Sequence, residues 1–294
     1  MIYKGYELDL DENGLTIEGI TDFDPVHTFE CGQCFRWRRE PDGSYTGVVR
    51  GRAANVGYTP GRLVLRNVSV EDFEHIWFDY FDLGRNYGDI KKAVAIDGIM
   101  EKAVEFGSGI RLLRQEPWET LISFILSSNN RIPRIMKIVE DISRFYGREL
   151  EYGGRGYYGF PDVQSLAACS LEQIQACRAG YRCGYIHRTA AKVASGEFDL
   201  QKLAGLETAE ARNYLMQLYG VGSKVADCVL LYSGTRYDVF PTDLWVKRVM
   251  EELYFKREAS FKEIQQFAAE NFGEYAGIAQ QYLFYYAREQ RIGT

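Results

Sequence analysis

Histidine is scarce in this chain, and cysteine is not clustered. The 294 residues hold three histidines and six cysteines. His27, His75 and His187 lie far apart, and the one CxxC pair, Cys31-Gly-Gln-Cys34, has no second pair to complete a zinc site. The pair also falls in strand-like sequence, not at a helix start after a strand, where a redox pair of thioredoxin type belongs. Cys169, Cys177 and Cys183 lack the spacing of an iron–sulfur centre, so any chemistry is left to organic side chains. Six thiols are too few for a secreted disulfide framework in a chain of this size and are read as reduced. No apolar run approaches the roughly 18 residues of a membrane span. The stretch Met1 to Glu12 has neither a basic flank nor a signal-type apolar block, which points to a cytoplasmic protein without a membrane partner. Internal repeats and low-complexity linkers are missing as well.

What is present is an ordinary globular composition, 46% apolar and 26% charged. The net charge of −6 argues against coating nucleic acid by bulk electrostatics, which calls for a basic domain. It leaves room for local faces. Between Gln173 and Gly196 there is no acidic residue, while Arg178, Arg182, Arg188 and Lys192 alternate with Tyr181, Tyr185 and His187. A second basic cluster, Arg131, Arg134, Lys137, Arg144 and Arg148, is diluted by Glu140 and Asp141, so a plain solvated helix competes there.

Patterning divides the chain in two. Up to about residue 70, Leu8-Asp-Leu10, Leu15-Thr-Ile17, Phe35-Arg-Trp37, Tyr45 to Val49 and Leu63-Val-Leu65 alternate, separated by Asp11-Glu-Asn-Gly14, Pro41-Asp-Gly43 and Pro60-Gly61. That is hairpin sequence, and hairpins in series give an antiparallel sheet. From Ser69 the spacing becomes helical. After Gly109 the expected helices are Pro117–Leu126, Pro133–Tyr146, Ser170–Cys177, Tyr185–Ser195, Thr208–Leu218, Lys224–Ser233, Leu244–Phe255, Phe261–Asn271 and Gly277–Arg288. The fold class is α+β, with a sheet domain over 1–107 and a helical body over 108–294.

The chemically informative stretch is Leu218-Tyr-Gly-Val-Gly-Ser-Lys-Val-Ala-Asp-Cys228, followed by Phe240-Pro-Thr-Asp243. Gly220 and Gly222 permit a tight turn with unpaired amides, and Ser223 is a capping candidate for a helix starting at Lys224. A helix start of this kind attracts phosphate through its amides and dipole. The same dipole disfavours a cation in the first turn and favours a neutral, nucleophilic amine. Taken alone, a GxG turn is weak evidence and a solvated lysine explains it equally well. Asp243, ahead of Val246, Val249 and Leu253, is a natural helix cap, and a fixed carboxylate near an amine can also stabilise a cation or move protons.

These residues resemble the helix-hairpin-helix and catalytic aspartate of base-excision DNA glycosylases, and more narrowly the 8-oxoguanine DNA glycosylases. Further matches run in the family's order over most of the chain: Cys31-Gly-Gln-Cys-Phe-Arg-Trp37, Ser127-Ser-Asn-Asn130 with Arg134, Gly180-Tyr-Arg182, and Tyr275-Ala-Gly-Ile-Ala-Gln280 with Phe284. The resemblance implies a TBP-like sheet domain, a hairpin over about 208–233, and a monomer that removes 8-oxoguanine from duplex DNA, preferably opposite cytosine. By resemblance Lys224 is the nucleophile at C1′ and Asp243 stabilises the sugar cation. Phe284 and Cys228 would sandwich the flipped base, Gln280 would read its edge, and the Gly32 carbonyl would accept the hydrogen that oxidation places on N7. Asn129, Arg134, Tyr181 and Arg182 would meet the opposite strand, with plain phosphate contact as the competing role for both arginines. Gly220, Gly222 and Lys224 would face a phosphate, and the carbonyls of Met216, Leu218 and Val221 could hold a structural cation. Catalysis would need no cofactor, and the iron–sulfur branch is disfavoured because no cysteine follows Cys228. In a prokaryote the enzyme would be nucleoid-associated. The alternatives are a non-catalytic hairpin module, which would not need Lys224 and Asp243, and a monofunctional glycosylase for alkylated bases. Many eukaryotic members have a histidine and an aspartate where this chain has Trp245 and Ala287, which implies a differently supported pocket.

Overall fold

The computed structural model describes residues 1–293. Seven strands, β1 (Ile2–Tyr3), β2 (Tyr6–Asp11), β3 (Gly14–Ile20), β4 (Trp37–Arg39), β5 (Tyr45–Val49), β6 (Arg52–Thr59) and β7 (Gly61–Arg66), make one sheet in the order β1-β2-β3-β7-β6-β5-β4. All neighbours are antiparallel. Alternation sets the buried face: Leu15 pairs with Leu65 and Ile17 with Leu63, and all four are fully buried. They form one core with Phe73, Trp77 and Phe81 from the helical segment after Ser69.

The helical body has its own core. Leu121, Ile122 and Ile125 of helix Pro117–Ser127 share one core with Val229 and Leu230 of helix Ser223–Tyr232 and Ile278 and Tyr282 of helix Ala276–Glu289. Most expected helices stand within a few residues of their sequence limits. Helix Arg182–Ala194 begins three residues before the expected Tyr185, and Thr208–Leu215 stops short of Leu218, which falls in the turn. The helix from Leu244 ends at Met250 and continues as a wider π turn, Glu251–Phe255.

Several elements were not legible, among them helix Val163–Ala167, a short N-terminal helix and a hairpin in the body. Asp24 caps a short helix, Pro25–Phe29, through Val26 N at 2.8 Å and His27 N at 3.2 Å. A hairpin, β8 (Glu149–Tyr152) with β9 (Arg155–Tyr158), interrupts the helical body. One expected strand is displaced by two residues, because Phe35 and Arg36 precede β4. The physical reason is a division of labour: Phe35 packs into the helical core, whereas Trp37 packs into the sheet core. Residues 28–37 thus stitch the two cores together.

Candidate active site

Helices Thr208–Leu215 and Ser223–Tyr232 flank the glycine turn and are pinned by an ion pair between the half-buried Arg212 Nε and the buried Asp227 Oδ1 at 2.5 Å. Gly220 has φ +78°, and a Cβ there would lie 2.6 Å from the Tyr185 ring. Ser223 is not the cap. The N-cap is Gly222, in extended conformation and without a side-chain acceptor, so Ser223 is the first helical residue and Lys224 the second. A bare cap leaves the helix-start amides available to an external anion. The basic aromatic segment packs against this turn: Thr189 Oγ1 donates to the Tyr219 carbonyl at 3.1 Å, Lys192 Nζ to that of Gln217 at 3.2 Å, and Arg188 lies 3.6 Å over the Tyr219 ring. Among the described residues no donor meets the Met216 or Val221 carbonyl, and that of Leu218 takes only a long bond from Val221 N at 3.4 Å.

Lys224, Cys228, Asp243, Gly32, Gln280 and Phe284 line one cavity of ≈ 130 Å³. Phe35, Phe124, Ser127, Ile132, Ile135 and Val246 complete much of its wall. Phe35 and Ser127 lay in family-matching motifs without an assigned role, Phe124, Ile135 and Val246 were marked only as positions in expected helices, and Ile132 was not marked. Lys224 Nζ donates to Ser127 Oγ at 3.2 Å and stands 5.4 Å over the Phe124 ring. Asp243 caps its helix with one oxygen, Oδ1, which accepts from Trp245 N at 3.0 Å and Val246 N at 2.8 Å. Capping and a place in the cavity coexist. Burial pushes the Cys228 thiol up to about 11, against the opposing influence of Lys224, so it is a neutral wall at physiological pH. Gln280 is 3% exposed, and its Oε1 has no hydrogen-bond partner. A buried, unpaired amide oxygen is costly unless something else supplies the donor. Phe284 is held edge-to-face by Trp245 at 5.2 Å, while Ala287 is buried. An aromatic contact stands where the eukaryotic polar pair would be.

Gly32 enters the cavity on the segment that joins the two cores. Its φ is +93°, and a Cβ would meet Phe284 at 3.3 Å. The neighbouring carbonyls are taken by side chains of the body: Glu30 by Arg288 at 2.7 Å, Cys31 by Gln281 at 3.1 Å, and Gln33 by Gln115 at 2.8 Å. The Gln33 side chain donates to the carbonyls of Thr28 and Arg111 and accepts from Leu113 N. Among the described residues, no donor meets the carbonyl of Gly32 itself. The CxxC thiols are free and buried, Cys31 Sγ facing the Thr28 carbonyl and Cys34 Sγ that of Phe29.

The four residues assigned to the opposite strand adjoin one another. Tyr181 is 57% exposed. Arg134 is exposed and donates to the Arg178 carbonyl at 3.4 Å. Asn129 has φ +49°, in a turn that Arg182 holds. Arg182 is 3% exposed, and its guanidinium donates to the carbonyls of Ser128 (Nε, 2.9 Å), Asn129 (2.8 Å) and Ala179 (3.2 Å). In this conformation Arg182 is a clamp on the Asn129 turn and does not project toward a partner.

Bare helix-start amides, a basic aromatic face beside them and a lysine-bearing cavity describe a helix-hairpin-helix protein built to grip DNA and receive one extruded base. Residues 122–274 match the model of the HhH-GPD superfamily base excision DNA repair protein, and residues 17–121 match the 8-oxoguanine DNA glycosylase N-terminal domain. A structure described as MBOgg1 in complex with a low affinity DNA ligand is 51% identical, with a TM-score of 0.95 over 97% of this chain and 99% of that one. The 8-oxoguanine glycosylase/lyase of Clostridium acetobutylicum, in complex with duplex DNA containing cytosine opposite 8-oxoguanine, is 41% identical, with a TM-score of 0.94 over 97% and 99% of the two chains. The probable N-glycosylase/DNA lyase of Methanothermobacter thermautotrophicus is 30% identical over 93% of this chain and 96% of its own. The chain belongs to the HhH-GPD superfamily, in the branch of the 8-oxoguanine DNA glycosylase/lyases.

Proposed function

We propose that the protein is a bifunctional DNA glycosylase and abasic-site lyase that excises 8-oxoguanine from duplex DNA in base-excision repair. The observation that carries this is the shared cavity. The amine of Lys224 opens into the same space as the unpartnered Gln280 oxygen and as Gly32, whose neighbours' carbonyls are all engaged.

The flipped base would stack on Phe284 and lie against Cys228. Its N7 hydrogen would donate to the Gly32 carbonyl, where guanine would present a lone pair, and Gln280 would pair with its other edge. Extrusion from the duplex costs roughly a few kcal/mol, which the pocket contacts must offset. Lys224 Nζ then attacks C1′ as the glycosidic bond breaks and the base leaves with its electron pair. Loss of the amine protons and ring opening give a Schiff base. Removal of a C2′ proton expels the 3′ phosphate by β-elimination, and water releases the amine. Asp243, fixed as a cap, stabilises the cationic sugar and relays protons.

Opposite the lesion, Tyr181 would fill the gap in the stack and Arg134 would donate to cytosine. Arg182 could join only by releasing the carbonyls of Ser128 and Asn129. The Met216, Leu218 and Val221 carbonyls suit a hard monovalent cation beside a bound phosphate, which would ease the net charge of −6. No cofactor is needed in this scheme, and we propose a monomer that, if its source is a prokaryote, is nucleoid-associated in the cytoplasm.

Borohydride reduction in the presence of an 8-oxoguanine·cytosine duplex should trap a covalent complex, which Lys224→Gln abolishes. A wild-type protein that binds this duplex and cannot be trapped would refute the lyase assignment. Arg134→Ala should narrow the preference for cytosine several-fold; unchanged opposite-base ratios would remove it from that role.

A further inference from the structure

Gln281 follows the residue expected to read the base edge, yet it points elsewhere and is fully buried. Its Nε2 donates to the Cys31 carbonyl at 3.1 Å, across 250 positions of sequence. Its Oε1 accepts from Tyr232 Oη at 2.8 Å. The first bond fixes which end of the amide faces Cys31, because a flipped amide would oppose two acceptors there, and the Tyr232 hydroxyl, donating to the other end, holds the amide in place. Tyr232 is itself fixed by a parallel stack on Phe124, at 5.0 Å and 14°, and Phe124 is the ring beneath the Lys224 amine.

The Cys31 carbonyl belongs to the peptide that sets the φ of Gly32, and that φ is +93°, in a region L-residues rarely occupy. Glycine is free to rotate there, so its own geometry does not aim its carbonyl. The flanking peptides must. Gln115 holds the Gln33 carbonyl and the Gln33 side chain anchors that residue on Thr28 and Leu113, so the residue after Gly32 is fixed, and Gln281 holds the peptide before Gly32. We infer that Gln281, held in place by Tyr232, is a positioning residue for lesion discrimination: it aims the Gly32 carbonyl at the N7 edge of the bound base. This rests on the proposed reading of Gly32 as the acceptor for the N7 hydrogen. Gln281 touches no substrate and has no part in the chemistry at C1′.

The test compares two duplexes and one intermediate. In a Lys224→Gln background, the ratio of Kd for guanine·cytosine over 8-oxoguanine·cytosine duplexes measures discrimination. Nicking of a preformed abasic site by the Lys224-containing protein measures chemistry without a base in the pocket. Gln281→Met, close in volume, should lower the Kd ratio by about tenfold, or ~1.4 kcal/mol, and leave abasic-site nicking within about twofold. Tyr232→Phe removes only the hydroxyl that anchors the far end of the amide and should lower the Kd ratio in the same direction. A full ratio in Tyr232→Phe refutes the inference whatever Gln281→Met does. So does a fall in nicking that matches the fall in the ratio, since that is the mark of a packing role. If the parent background itself binds both duplexes equally, it is the Gly32 reading that fails. If the parent discriminates and both variants discriminate equally well, only the role of Gln281 falls.

Discussion

Gly220 and Gly222 stand two residues apart in one turn, and the same substitution should fail at each for a different reason. At Gly220 the backbone lies at φ +78°, where an L-residue is strained by about 1–2 kcal/mol. The added Cβ would also lie 2.6, 2.8 and 2.9 Å from three atoms of Tyr185. Displacing a packed side chain by that much costs about 1–3 kcal/mol. Gly220→Ala should therefore lose roughly 2–5 kcal/mol, a fall in Tm of roughly 4–10 °C for a domain of this size. At Gly222 the backbone is extended (φ −95°, ψ −177°) and a Cβ meets nothing within 4 Å. Alanine is a poorer cap than glycine, but it also lowers the entropy of the unfolded chain, and the two effects leave a net change within about 1 kcal/mol. The open space at Gly222 is where a phosphate would approach the bare helix-start amides, and a methyl there keeps it away. Losing one charge-assisted bond of about 1.5 kcal/mol lowers affinity for an undamaged duplex by about tenfold. Thermal denaturation and fluorescence anisotropy at fixed salt separate the two variants. A Gly222→Ala protein that melts early and binds normally, or a Gly220→Ala protein with wild-type Tm, would refute the reasoning.

Two more outcomes follow from buried charge and buried sulfur. Burial raises the Asp227 pKa and Arg212 opposes that shift, so Arg212→Ala strands a carboxylate at a cost of about 3 kcal/mol. A carboxyl with a raised folded pKa binds more protons folded than unfolded, so its penalty grows as pH rises through the folded pKa. The Tm deficit of Arg212→Ala should accordingly be larger at pH 8 than at pH 5 and be relieved by adding Asp227→Asn; a pH-independent deficit would contradict this. All six cysteines are free and buried, with Cys31 and Cys228 pushed up to about 11 and Cys177 to about 12 by desolvation. A disulfide reagent at pH 7.5 should find none of them in the native protein and all six after denaturation.

Local periodicity carried a large part of this protein. Hairpin alternation gave the sheet, and helical spacing gave nearly every long helix of the body. Because residues four apart share a helix face, the spacing paired Gln280 with Phe284, whereas Cys228 was tied to Lys224 only through the family resemblance; all four line one cavity. The β8–β9 hairpin and the short Pro25–Phe29 helix escaped, since four or five residues carry too little period to outweigh the surrounding helical pattern. Tertiary structure alone decided how the Gly32 segment is held. Its neighbouring carbonyls are met by Gln115, Gln281 and Arg288, up to 258 residues away, and nothing in the spacing of a polar side chain says which distant carbonyl it will satisfy. The same holds for Arg182, which sequence presents as a cation on a basic face and the fold turns inward to close the Asn129 turn. Sequence determined which chemical groups exist and which helix faces they share. The requirement that every buried donor and acceptor find a partner decided which groups remain free to meet DNA.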